Sequence, residues 1–442
     1  MKSILFIIFC SRKKHLLILI FLVSALLVSS QEIAQWRGPY RNGIYPENGL
    51  LKEWPKEGPS LLWSASGFGL GFSSPVSDGK TVYITGLKDD LDYLTAIDDK
   101  GNILWQVPYG PAWAGTHPGS RCTPVVDDDQ IYALSGGGTI ACIDAKDGTI
   151  KWSLDAQKKF EAAYSSHGVC ESLLLSDDKL FYTPCGPKTT LVALDKNTGE
   201  TLWTSESLND ISAYVSPLLV KYSNKKIVVT LTSEHLLGVD ADNGKILWKF
   251  KYADLNNEES DKMLFASSKI NTITPLFNDG FIYITGGYNH GGAMFRLNED
   301  ASAISLIWTD STLDCHHGGV VLVDGYIYGS NWINNRNGDW CCLDWETGKL
   351  MYGQTWIAKG SIISADGMLY CYEEKTGNVG LVRPDPEKFD LVSSFVVPLG
   401  KGPCWAHPMI RDGILYLRRG DVLMAYDIRK KEIILPTSWH RY

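Results

Sequence analysis

Phe72, Arg121, Cys170, Tyr214, Thr272, His317, Lys359 and Trp405 each stand two residues before a marker position: Ser74, Thr123, Ser172, Ser216, Thr274, Gly319, Ser361 and His407. Histidines crowd the same segments, at His117, His167, His316 and at His407 itself. Guanidinium, ammonium and imidazole groups pair with anions, and Tyr, Trp and Phe stack on the apolar faces of rings. The set therefore reads as a grip for a carboxylate, a sulfate or a sugar. The residues expected to bind are Arg121, His167, Tyr214, Asn271, His316, His317, Lys359, Trp405 and His407. The competing expectation is that these side chains hydrogen-bond one another and fill a channel. Adjacent His316 and His317 would need a bulge to aim at one metal ion, and no metal site is assigned to them.

A repeat positions these residues. Asp144-Gly148-Trp152, Asp195-Gly199-Trp203, Asp240-Gly244-Trp248 and Asp344-Gly348-Tyr352 share one four-plus-four spacing, with a looser copy at Asp98, Gly101 and Trp105. Trp308 and Phe395 mark two degenerate copies, and successive aromatics lie 47, 51, 45, 60, 44 and 43 residues apart. That period matches one four-stranded propeller blade per copy. Inside each copy an Asp-Gly turn, such as Asp279-Gly280 or Asp412-Gly413, separates the marker from a strand centred on Tyr or Phe. Eight markers predict eight blades. Leu61 to Trp63 precede the first blade, while the eighth ends near Asp427 without an outer strand. The expected fold is all-β: an eight-bladed β-propeller of four-stranded antiparallel blades, closed by pairing of N- and C-terminal strands. The innermost strands run beside the channel, so the residues two before each marker should meet at one mouth.

Residues 1–30 follow different rules. Their only charges are Lys2, Arg12, Lys13 and Lys14, and the apolar run Leu16 to Val28 suits a signal-peptide core and is too short to span a bilayer. The expected layout is a signal peptide at 1–30, an N-terminal extension at 31–60, the propeller at 61–430 and a tail at 431–442. The mature chain is expected in the periplasm or outside the cell, with no membrane span and no lipid anchor, since Cys10 precedes the main apolar run. Removing the leader takes the formal charge from −8 to −12, and no basic run interleaved with aromatics offers itself to nucleic acid. Ten cysteines become nine. Cys170 and Cys185 are equidistant from the Asp177-Asp178 turn and are the expected disulfide.

The segments from Ala193 to Trp203, Gly238 to Trp248 and Cys342 to Lys349 resemble the pyrroloquinoline-quinone-like β-propeller repeat family, over nearly all of residues 35 to 430. The resemblance implies the propeller fold. For function it implies two branches, cofactor-free scaffolds such as the propeller lipoprotein of the outer-membrane β-barrel assembly machinery, and quinone- and calcium-dependent alcohol dehydrogenases. In the second branch a disulfide between adjacent cysteines caps the quinone, carboxylate and amide oxygens hold Ca²⁺, and an Asp acts as base. Glu171 and Asn271 would then be metal ligands and Asp314 the base. Cys341 and Cys342 are adjacent, but they fall within a strand, where successive side chains point to opposite faces, and two buried thiols are expected.

Two connecting segments stand apart, Tyr288 to Gly292 and the Asn-rich Asn331 to Gly338 with Trp332 and Arg336. No Gly-rich phosphate loop, nucleophile elbow or zinc helix is present. The expectation is an exported, non-catalytic scaffold with no cofactor, binding a small molecule, a glycan or an envelope protein at the propeller mouth. The alternative is a quinoprotein alcohol dehydrogenase with pyrroloquinoline quinone and calcium.

Overall fold

In a computed structural model of the chain, residues 33–113, 115–251 and 270–430 are described. The expected leader at 1–30 and the tail from 431 lie outside the described residues. The rest forms eight sheets arranged as the blades of a propeller. Inner strands Val76–Ser77, Val125–Asp127, Leu174–Ser176, Leu218–Tyr222, Leu276–Asn278, Val320–Val323, Gly360–Ala365 and Met409–Arg411 open blades 1 to 8. Blade 4 shows the pattern, with Leu218–Tyr222 pairing antiparallel to Lys225–Leu231, then His235–Asp240, then Ile246–Lys251. Burial follows position in the blade. Second and third strands such as Gln130–Leu134 and Thr139–Asp144 are sealed on both faces by neighbouring blades, while the outer strand Ile150–Asp155 alternates towards solvent.

The Asp-Gly-aromatic signature has a specific cause. The Asp accepts from the backbone of its own turn, as Asp195 Oδ1 does from Asn197 and Thr198 at 2.8 and 2.9 Å. The Gly takes a left-handed conformation, φ +71 at Gly199, and lies on the Trp152 ring of the preceding blade, where a Cβ would come within 2.8 Å. The same seating joins Gly148 to Trp105, Gly244 to Trp203 and Gly348 to Trp308. Trp152 Nε1 completes the joint by donating to Lys196 O at 3.0 Å. These four tryptophans thus fasten their own blades to the next. Blade 5 is a degenerate copy because Ala301, at φ +58, replaces the Gly and packs in the cluster that holds Trp248.

The termini close the ring as expected. Ser60–Ser66 supplies the outer strand of blade 8 by pairing antiparallel with Val422–Asp427, placing Trp63 opposite Ala425. Trp63 packs on Gly101 of blade 1, so the looser copy belongs to the seam. Buried Arg418 staples blade 8 to blade 1, donating to Ser73 Oγ at 2.7 Å, Thr85 O at 2.7 Å and Gly69 O at 3.1 Å.

Residues 33–58 are wound into the propeller and are no mere extension. Ala34 bridges antiparallel to Val126 of blade 2, and Ile44–Tyr45 runs parallel to Ser364–Ala365 of blade 7, so the chain makes a loop across the inner strands. Two buried arginines hold that loop. Arg41 donates to Ser172 O at 2.9 Å and Pro217 O at 3.2 Å, on blades 3 and 4. Arg37 donates to Val320 O at 2.5 Å and Ile362 O at 3.4 Å, on blades 6 and 7. A guanidinium fork can satisfy several carbonyls at once, which an ammonium cannot. The loop therefore spans the centre of the ring.

Candidate functional site

All eight residues that stand two before a marker line one cavity of about 480 Å³. The equivalence of blades explains this, because each residue leaves its own blade at the same height as the chain enters an inner strand. His117, His167, His316 and His407 join them, as do Trp36 from the N-terminal loop, Tyr288, and Asn335 and Arg336 from the Asn-rich loop.

The polar heart of the wall is Glu374, which pairs with Lys359 and lies 3.2 Å from His317 Nε2. Both Lys359 and Glu374 are buried, with side chains 4% and 5% exposed. Burial alone would raise the Glu374 carboxyl, but His317 and Lys359 outweigh it and hold the group below the usual carboxylate range. Lys359 Nζ also donates to Asn335 O at 3.3 Å, tying the Asn-rich loop to the wall.

Behind it, His407 Nε2 meets His317 O at 2.9 Å and its Nδ1 meets an Arg37 nitrogen at 3.1 Å. A carbonyl only accepts and a guanidinium only donates, so Nε2 carries the proton and Nδ1 accepts. Burial, then the Arg37 charge, pushes His407 well below its ordinary value and keeps it neutral. Burial does the same to His316, with His317 and Lys359 adding to it.

Ring contacts run continuously along the wall. Trp405 meets Phe72 at 4.8 Å, His117 at 5.4 Å and His317 at 5.6 Å between centroids, and His167 meets Tyr214 at 5.6 Å. On the other side His316 lies 4.5 Å from both His317 and Tyr288. Arg121 is spent locally, donating to Gly119 O and Thr116 O at 3.0 Å each and shaping its own loop.

Several expectations need correction. Asn271 is buried beside the cavity without lining it: its Nδ2 donates to Thr232 O at 2.8 Å, and the neighbouring Thr272 faces the cavity instead. Cys170 and Cys185 are both free thiols. The ladder that would have set them opposite ends at Leu174 and Phe181; Cys170 then turns to the cavity, and Cys185 takes a left-handed φ of +55. Cys341 and Cys342 are buried thiols split between two inter-blade clusters.

None of Glu171, Asn271 and Asp314, the residues of the calcium and quinone alternative, lines the cavity. Asp314 spends both oxygens on the backbone of Asn289 and Gly291, at 2.6 and 2.9 Å, and Glu171 accepts from Thr183 N at 3.1 Å. Burial raises Glu171 to about 8 and Asp314 to about 6. Among the described residues no cluster of three or more His, Cys, Asp or Glu is placed to hold a metal ion. These residues brace loops. Trp332 does so too, buried against Tyr288 at 4.9 Å, while Arg336 of the same segment reaches the cavity lip.

Glu374, Trp36 and Tyr288 were missed as site residues. Glu374 had a signal in the pair Glu373-Glu374 ending a strand: Glu373 closes the turn by accepting from Lys375 and Thr376 at 2.7 and 2.8 Å, which leaves its neighbour for the channel side. Trp36 lies outside the repeat and had no periodic signal.

Comparison with known proteins fits this geometry. A family model described as "Outer membrane protein assembly factor BamB" matches residues 90–354. Two uncharacterised rickettsial proteins are similar in sequence: RC0314 of Rickettsia conorii, 22% identical over 63% of this chain and 61% of its own length, and RP232 of Rickettsia prowazekii, 21% identical over 53% and 55%. The chain thus spans less than two thirds of the length of the curated relatives it matches. Among solved structures, BamB from Moraxella catarrhalis superposes with a TM-score of 0.59 at 13% identity, covering 84% of this chain and 98% of that one. Quinohemoprotein alcohol dehydrogenase from Comamonas testosteroni superposes with a TM-score of 0.63 at 12% identity, covering 90% and 80%. At such identities these likenesses establish the fold. With the family model spanning well over half of its residues, this chain belongs to the PQQ-type repeat family that carries the description outer membrane protein assembly factor BamB.

Proposed function

We propose that this protein is an exported binding scaffold of the cell envelope, which holds a ligand or a segment of a partner protein at a single mouth of its propeller. One observation carries the reading: side chains from all eight blades, at equivalent positions, line one cavity that the N-terminal loop closes from below. A channel filled only by its own side chains would leave no such volume. The wall mixes aromatic faces with a buried ion pair and cationic groups at the lip, which suits recognition. The rigid ring fixes the spacing of these groups before anything binds, so little conformational entropy is lost on association. The family membership and the likeness to a BamB structure favour a scaffold in the envelope.

The test is site-directed photo-crosslinking in the native cells, with the probe at Asn335 on the lip or at Leu202 on the outer rim. The expected result is discrete adducts from position 335 and none from 202. Adducts from 202 alone would place recognition on the wrong surface and end the proposal.

A further inference from the structure

Resting on that reading, we infer that the cavity captures an organic anion, and that a fall in pH strengthens the capture by charging imidazoles around Trp405. The starting point is the charge that lines the wall. Arg121, Arg336 and Lys359 face a single carboxylate, Glu374, so the lining carries a surplus of two positive charges in a chain whose formal charge is −8. The thiol and phenols of the wall add no negative charge: burial pushes Cys170 up to about 11 and raises Tyr214 and Tyr288 above their ordinary values. A concave wall of one sign concentrates its field on whatever enters, and here that field selects an anion. The partly exposed rings of Trp36, Phe72 and Trp405 favour one with an apolar body.

Five histidines line the same cavity, and burial holds His316 and His407 neutral. That leaves His117, His167 and His317, which enter ahead of blades 2, 3 and 6. Trp405 joins them, 5.4 Å from His117 and 5.6 Å from His317 between ring centroids, and His117 meets His167 at 5.8 Å. His117 and His167 share the neighbourhood of Arg121, and His167 also faces the Tyr214 ring. His317 faces His316 and Glu374, with Lys359 behind the carboxylate.

Imidazole is the side chain whose charge changes near neutral pH. Burial, with the charges of Arg121 and His117 behind it, holds His167 below the ordinary imidazole value of about 6.5, so the empty site resists its proton. An anion in the cavity offsets those cations and loads the proton. By reciprocity, each proton drawn in on binding makes the anion bind up to about tenfold tighter for each pH unit of acidification. Glu374, held below the usual carboxylate range, stays ionised throughout, so on the wall the imidazoles alone change. Behind the wall, burial raises Asp92 and Asp314 to about 6, and their loss of negative charge on acidification works in the same direction.

Fluorescence titration of the full chain tests this with 1-anilinonaphthalene-8-sulfonate and with N-phenyl-1-naphthylamine, the same ring system without the sulfonate. Between about pH 7.5 and about pH 5.5 the sulfonate should come to bind at least about fivefold tighter, while the neutral amine changes by less than about twofold. Calorimetry at about pH 6, in buffers of different ionisation enthalpy, should show about 0.5 proton or more taken up per sulfonate bound. His117→Gln, His167→Gln and His317→Gln combined should cut the pH effect on the sulfonate to less than about twofold. Absence of proton uptake in the wild type overturns the acid-strengthened capture whether or not the variant folds, and so does an unchanged pH effect in the folded variant. Equal pH dependence of sulfonate and amine overturns the anion class and leaves the ligand-binding reading intact. Failure of both probes, with crosslinks still formed from Asn335, overturns anion capture and leaves a protein partner; loss of those crosslinks as well overturns the binding reading itself.

Discussion

Replacing Arg37 by Met asks whether the N-terminal loop is an integral part of the site. Met keeps much of the side-chain volume but loses the donors to Val320 O, Ile362 O and His407 Nδ1. Each buried acceptor left without its donor costs about 1 kcal/mol or more, so the three together come to roughly 3 kcal/mol, with the relief of no longer burying a cation setting an upper limit on the net loss. An unfolding entropy of about 2.1 cal/mol/K per residue gives roughly 0.8 kcal/mol/K for a ring of this size, and the expected fall in Tm is about 4 °C. Arg37→Lys should fall by a similar amount, because a single ammonium cannot span blades 6 and 7. Scanning calorimetry measures the loss, and ¹⁵N imidazole spectra report the second effect: His407 should lose its fixed Nε2–H tautomer. A Tm within about 1 °C of wild type, with the tautomer retained, would show that the loop neither supports the ring nor orders the wall.

Glu171 is pushed up to about 8 by burial, so the native state holds its proton between about pH 4.5 and 8 while the unfolded chain releases it. Stability from this group is full below the lower value and is lost as pH rises through the upper one, so Glu171→Gln should flatten the decline in urea midpoint across that window and exceed wild type above pH 8 by on the order of a few kcal/mol. Gly244→Ala puts a Cβ 2.5 Å from the Trp203 ring at φ +77 and should cost about 2–4 kcal/mol, whereas Gly49→Ala, at φ +71 with open space around it, should cost only the about 1 kcal/mol of left-handed strain; equal losses in chemical denaturation would refute the seating of glycine on tryptophan. Trp63→Ala at the seam should cost about 3–5 kcal/mol, and a broadened transition with early loss of blade 8 signals in hydrogen exchange is the expected signature. Alkylation in urea without reductant should label both Cys170 and Cys185; a mass two hydrogens short with both unlabelled would restore a disulfide.

The blades were legible in the sequence because Asp195, Gly199 and Trp203 each do a local job that only those residue types do well. The site was legible for a related reason: repetition converts one position per blade into one height around a ring, and Arg121, Tyr214, His317 and Lys359 needed no knowledge of long-range contacts to be grouped. What lay outside the period was lost. Trp36 and Arg37 reach the cavity through a loop whose course is set by carbonyls hundreds of residues away, and nothing local announces it. The pairing of Cys170 with Cys185 failed because symmetry about a turn holds only while the ladder lasts, and this one stops after three pairs. Asn271 failed by a single residue, since a neighbouring Thr takes the inward direction.

The seam sets the order of events when the protein is made. Gly69 and Asp421, bonded at 2.6 Å, are 352 residues apart, so the strand made ahead of the eight blades is the last to find its partner. Until the final blade arrives, the Ser60–Ser66 ribbon has an open edge and the centre of the ring has no lock. Such distant pairing makes folding slow and all-or-none at its last step. The same arrangement makes release equally difficult once the circle is complete, so the barrier that slows the last step of folding also slows the first step of unfolding.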